Sequence, residues 1–221
     1  KFCYALLLAM AAGLPVFAQD SLPVRLPAGV EFFPENYTEI LENAPDRVHD
    51  LTDGVYVRYI QCYRIPEASQ RAALEHEGLR FLAYIPLGTY LVSIPEGFDL
   101  AKLQDIKPRS IVEIQPEWKM ARSLRELPYG DWAVHGENID INIQVYPHVG
   151  IPRGAALCRQ SGFTVLLEGN QNGFLQIRLP QGKIAELAAM PWVQGLELIA
   201  PPAEPDDTRG RGLHRSNILD S

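Results

Sequence analysis

Residues 72–82 read AALEHEGLRFL, and residues 155–166 read AALCRQSGFTVL. Ala72-Ala73-Leu74 returns as Ala155-Ala156-Leu157, and each copy runs into a glycine, Gly78 or Gly162. Leu79-Arg80-Phe81-Leu82 is then answered by Phe163-Thr164-Val165-Leu166. Further on, Ser93-Ile94-Pro95-Glu96-Gly97 is answered by Arg178-Leu179-Pro180-Gln181-Gly182, Leu103 by Leu187, and Val112-Glu113-Ile114 by Leu196-Glu197-Leu198. The offset stays between 83 and 85 throughout, and an ordered set of matches at near-constant spacing marks an internal duplication.

Each copy reads as the same series of elements. Val55–Tyr63 and Ile139–Tyr146 alternate in side-chain character and are rich in β-formers, so they are first strands. Glu67–Glu77 reads as a helix with Gly78 as its C-terminal stop, and Pro152–Ser161, closed by Gly162, is its counterpart. Hairpins follow: Phe81–Ile85 with Tyr90–Ile94, and Val165–Leu167 with Phe174–Leu179. A second helix (Leu100–Asp105; Ile184–Ala189) and a last strand (Ile111–Ile114; Gly195–Ile199) complete each unit. The order β-α-β-β-α-β predicts an α+β protein of two tandem ferredoxin-like units with antiparallel sheets, residues 55–122 and 136–202. Both helices then lie on one face of each sheet and leave the other face free. The recurring apolar positions predict the cores: Leu74, Phe81, Leu103 and Ile114 in the first unit, and Leu157, Val165, Leu187 and Leu198 in the second.

The flanks read differently. Lys1, the apolar run Phe2–Leu14 and the small residues before Gln19 predict a secretory signal peptide over residues 1–18, too short to span a bilayer. That predicts a secreted, periplasmic or cell-surface protein with no membrane segment after cleavage. Residues 19–54 are rich in proline and acid, an extended lead-in with one short helix near Tyr37–Glu42. Asn36-Tyr37-Thr38 fits the glycosylation triplet, a match common by chance. Residues 203–221 form a tail in which Arg209, Arg211, His214 and Arg215 crowd within seven positions.

The 221 residues are 47% hydrophobic and 21% charged, a globular composition. Without residues 1–18, 19 basic residues face 27 acidic ones, a net −8 that argues against gripping a phosphate backbone. Nucleic acid is not an expected partner. Beyond residue 18 only Cys62 and Cys158 remain, and they read as small buried hydrophobes rather than a disulfide framework. The five histidines are dispersed without metal-ligand spacing, so neither a metal nor a cofactor is expected. There is no G-x-S-x-G elbow, no serine beside an activating histidine, and Gly210-Arg211-Gly212 lies outside any strand–turn–helix context. No catalytic residue is expected in this chain.

Arg71–Leu74, Glu77–Val92 and Ile111–Lys119 (IVEIQPEWK) resemble the N-terminal prosegment of secreted bacterial subtilisin-like (S8) serine peptidases of the fervidolysin-like type. Ile184–Leu187, Pro191-Trp192-Val193 and Leu196-Glu197-Leu198 resemble the later, inhibitor I9-like prosegment module. His214-Arg215-Ser216-Asn217-Ile218-Leu219 looks like the connector before the protease domain. The Asp, His and Ser segments of such a protease are not in this sequence. The resemblance implies an intramolecular chaperone and inhibitor whose partner, in cis or in trans, is a subtilisin-like protease domain. It implies that a sheet face docks on that domain while the connector tail 203–221 lies in its substrate cleft as an added strand. Arg209, Gly210, Arg211, Gly212, His214, Arg215 and Asn217 are the cleft-segment candidates. A stand-alone inhibitor is the alternative, and a duplicated ligand-binding module with a polar pocket between its units is another. The prosegment and inhibitor readings expect an apolar exposed sheet face.

Overall fold

Both glycines that mark the duplication stop a helix by the same hydrogen bonds. A computed structural model describes residues 22–43, 50–169 and 174–202. Gly78 has φ +100° and its N–H donates to the carbonyl of Glu75, while Leu79 N–H donates to Leu74. Gly162 has φ +81°, with Gly162 N–H on Arg159 and Phe163 N–H on Cys158. This left-handed closure suits glycine, and the residue after it is driven inward: Leu79 and Phe163 are both buried.

A hairpin of β1 (Pro23–Leu26) and β2 (Gly29–Phe32) comes first, then α1 (Tyr37–Glu42). The first repeat comprises β3 (Val55–Cys62), α2 (Ala68–His76), β4 (Arg80–Ile85), β5 (Thr89–Pro95), a 3-10 helix at Leu100–Ile106 and β6 (Pro108–Glu113). Two 3-10 turns, Pro116–Lys119 and Arg122–Leu124, and the two-residue β7 (Val134–His135) lead onward. The second repeat comprises β8 (Asn138–Val145), α3 (Gly150–Gln160), β9 (Thr164–Glu168), β10 (Phe174–Pro180), α4 (Ile184–Ala189) and β11 (Val193–Leu198). The sheets run β4-β5-β3-β6 and β9-β10-β8-β11, with β7 paired to β8, and all strand neighbours are antiparallel. The expected α+β class with antiparallel sheets is therefore what is observed.

Two cores result. In the first, Tyr56, Ile60, Val92 and Ile94 pack against Leu74, Leu79, Leu103 and Ile106. In the second, Ile139, Ile141, Ile143, Leu175 and Ile177 pack beneath Ala155, Cys158, Leu187 and Ala188. Leu74, Leu103 and Leu187 are buried as expected, whereas Phe81, Ile114, Leu157, Val165 and Leu198 are half-buried at the rims. Cys62 and Cys158 are free, buried, and in different clusters.

One expectation is corrected. The second face of the first sheet is not free. Val57, Tyr59 and Leu91 point there, and an apolar strand face left in water would forfeit ~1.5–3 kcal/mol per large side chain. The lead-in, expected to be merely extended, supplies the cover: Val24, Leu26 and Phe33 join these residues in the cluster that also holds the second unit's core. Phe33, Tyr59 and Trp118 form a ring triad with centroids 5.6–6.1 Å apart.

Polar anchors fix the lead-in. Buried Arg109 donates to the Phe33 carbonyl at 2.7 Å and to Gln61 Oε1 at 3.1 Å, and Ser110 Oγ donates to the Pro34 carbonyl. Asn36 serves as a surrogate strand residue on the β6 edge: Nδ2 donates to the Ile111 carbonyl at 3.0 Å, and Ile111 N–H donates to Oδ1 at 2.9 Å. The asparagine of the glycosylation triplet is thus committed to the fold. The residues of the expected signal peptide, 1–18, lie outside those described. No helix among the described residues is long and apolar enough to cross a membrane.

Candidate interaction surface

The alternation in β8 builds the most distinctive surface. Ile139, Ile141, Ile143 and Val145 are buried, so Asn138, Asp140, Asn142 and Gln144 fall on the opposite face, away from α3 and α4. Register places Arg178 opposite Asp140, Gln176 and Glu197 opposite Asn142, and Phe174 opposite Gln144. Gln144 and Thr164 are exposed there, and Asn142, Gln176, Arg178 and Glu197 are partly exposed. The second unit therefore does keep an open sheet face, but a polar one. The expected apolar character is wrong, because every outward position of β8 carries an amide or a carboxylate.

Asp140 organises this face. Arg178 donates to it twice, Nε to Oδ1 at 2.6 Å and Nη2 to Oδ2 at 2.8 Å, and His135 Nε2 lies 3.0 Å from Oδ2. Burial pushes the carboxyl up, but the Arg178 hydrogen bonds and charge, with His135, hold it below the usual carboxylate range. Arg178 is pushed up in turn by its hydrogen bond to Asp140. Asn142 Nδ2 donates to Glu197 Oε1 at 3.1 Å. Where the face meets the lead-in turn, a cleft of about 260 Å³ opens between Pro27, Ala121, Phe174 and Leu196, with Gln144 and Glu197 at its side. The sheet's outer strand, β9, is an exposed edge bearing Leu166 and Leu167 at 41% and 45% exposure.

Such an arrangement suits recognition through hydrogen bonds and charge. Both Asp140 oxygens accept from Arg178, with His135 against Oδ2, and the Asp140–Arg178 pair has the geometry of a fixed polar post. Burial pushes the Cys62 and Cys158 thiols up to about 12, which removes their nucleophilic thiolate at ordinary pH. No His, Cys, Asp and Glu group with metal-holding geometry occurs among the described residues. Between the two units lies a polar cavity edged by Asp50, Glu113, Lys119 and Tyr146, but its volume is about 40 Å³. That is room for little more than a water molecule, which takes ~30 Å³.

The cleft-segment candidates Arg209, Gly210, Arg211, Gly212, His214, Arg215 and Asn217 lie outside the described residues. His135, Asp140 and Arg178 are brought together by strand register and were not singled out from the sequence. The readable signal for the face itself is the alternation Asn138–Gln144.

A family model described as a domain of unknown function, DUF8729, matches residues 28–115. The match takes in β2, α1 and the whole first repeat, which agrees with the lead-in being bonded into that unit. No curated protein and no solved structure matches the chain.

Proposed function

We propose that this chain is a non-catalytic prosegment of a secreted subtilisin-like serine protease, helping the protease domain fold and holding it inhibited. At the level of fold we infer two tandem ferredoxin-like units. The shared glycine closures and the parallel strand orders of the two sheets support that inference. The observation that carries the functional reading is the resemblance of Glu77–Val92, Ile111–Lys119 and Leu196–Leu198 to prosegment motifs. The open face of the second sheet, polar where that reading expects an apolar one, is the surface left for docking, and its edge strand β11 leads within a few residues to the connector-like segment 203–221. A face built from Asn142, Gln144, Gln176, Arg178 and Glu197 suits a protein partner that answers with hydrogen bonds and charge. A binding event that favours the folded protease stabilises it by mass action, and this serves both chaperoning and inhibition.

The tail then supplies the block. Gly210 and Gly212 let it lie extended in a groove, and backbone pairing there needs no special side chains. The test is to titrate a secreted bacterial subtilisin-like protease, read with a chromogenic peptide substrate, against the full chain and a version ending at Pro202. We expect the full chain to inhibit and the shortened one to bind with little inhibition. Equal inhibition by both removes the tail's role; absence of binding by either overturns the prosegment reading.

A further inference from the structure

His148 lies in the turn between β8 and α3, and both its ring nitrogens are shielded from water without a hydrogen-bond partner. A neutral imidazole carries one donor and one acceptor, so leaving both unmet is a cost the fold ordinarily avoids. The ring is held by stacking instead, parallel to Tyr146 within 11° at a centroid distance of 5.8 Å. Tyr146 is 1% exposed and also edges the small cavity between the units. We propose that His148 is a pH-sensitive latch on the seam between the two units, closed while its ring is neutral and loosened when it takes up a proton.

The charges around the ring explain the direction. From the first unit, the turn before β3 brings Asp53, and α3 brings Arg153, whose Nη2 lies 3.6 Å from Asp53 Oδ1. Asp50 and Arg58 act on the stacked Tyr146 and are paired with each other, and Glu113 and Lys119 share the cavity it edges. Of these, Asp53 acts directly on His148 to favour the charged ring, but burial outweighs it and holds the ring below the ordinary histidine range. An opened seam lets water reach the ring and restores an ordinary value near ~6.5. Above that pH both forms are neutral and the seam is unaffected. As pH falls through it, the opened form takes up the proton first, and closure is progressively weakened. The latch holds whichever partner the open face takes.

The test follows the His148 ring by NMR titration in the full chain, alongside hydrogen exchange at residues 51–57 and 146–151. Exchange is compared near pH 7.5 and pH 5 after correction for intrinsic rates. We expect a ring midpoint below ~6.5 and local opening at least about threefold more frequent at the lower pH, with His148→Phe abolishing that response. A midpoint at or above the ordinary value, or the same response in His148→Phe, overturns the proposal. If His148→Phe fails to fold, the wild type alone decides: opening at these amides must begin to rise as pH falls below ~6.5 and level off below the ring midpoint, and a rise over any other pH range overturns it.

Discussion

Lys119, on the seam between the units, is only 8% exposed, and it donates to the Met190 carbonyl at 2.9 Å. Burial pushes its amine down to about 8, while Asp50 and Glu113 act in the opposite direction with less effect. The folded state therefore releases this proton near pH 8, and the unfolded chain keeps it until ~10.4. Between those values the unfolded state binds more protons, so this residue makes folding more favourable as pH rises. The buried thiols of Cys62 and Cys158 and the hydroxyls of Tyr37 and Tyr59, all raised to about 12, work the other way above pH ~9. The difference between wild type and Lys119→Met isolates the lysine. Urea unfolding under reducing conditions should show that difference shifting in favour of wild type by up to ~3 kcal/mol from pH 8 to 10.5. A flat difference would mean that Lys119 is hydrated in the folded chain. Nothing in the sequence around Lys119 marks it for burial, since its PEWK turn resembles any solvated one.

At the scale of elements, the duplication was readable because the same physical demands recur. A glycine is required where α2 and α3 turn left-handed, and an apolar residue is required just after it. Leu103 and Leu187 recur because each is fully buried under its sheet. Ile114 and Leu198 also recur, yet they sit half-buried at strand ends, so repetition alone overstates their importance. Leu187→Ala should cost ~2–5 kcal/mol by leaving a cavity, and Leu198→Ala clearly less, as read by chemical denaturation. Equal losses would place Leu198 in the core and contradict the burial pattern. What the sequence concealed were pairings set by register. Asp140 and Arg178 lie 38 positions apart and meet only because β8 and β10 align Asp140 with Arg178. The β1–β2 hairpin was concealed for a different reason: strands of four residues, the first opening on Pro23 and followed by Pro27, carry too little alternation to stand out from extended chain.

For the whole molecule, the two sheets are treated unequally. The second exposes a face of polar residues, with the buried Asp140 paired to Arg178, while the first has apolar residues on both faces and depends on a cover drawn from elsewhere. That cover comes from the lead-in, from the turns around Trp118 and Leu124, and from the second unit. Arg125 adds two bonds from the inter-unit segment to the Pro27 and Ala28 carbonyls of the lead-in. Removing the lead-in uncovers Val57, Tyr59 and Leu91 and leaves Gln61, Arg109 and Ser110 without the carbonyls of Leu22, Phe33 and Pro34. Each buried polar group so stranded costs ~1–3 kcal/mol, and the bared apolar surface favours association. A chain beginning at Asp50 should therefore melt well below the full chain, bind a hydrophobic dye and self-associate in sedimentation experiments. The Arg109→Met change should move in the same direction but less far, since it removes the charge while the apolar cover stays. A chain from Asp50 that melts like the full chain and sediments as a monomer would show that the first sheet needs no cover, and would return its second face to the set of surfaces open to a partner.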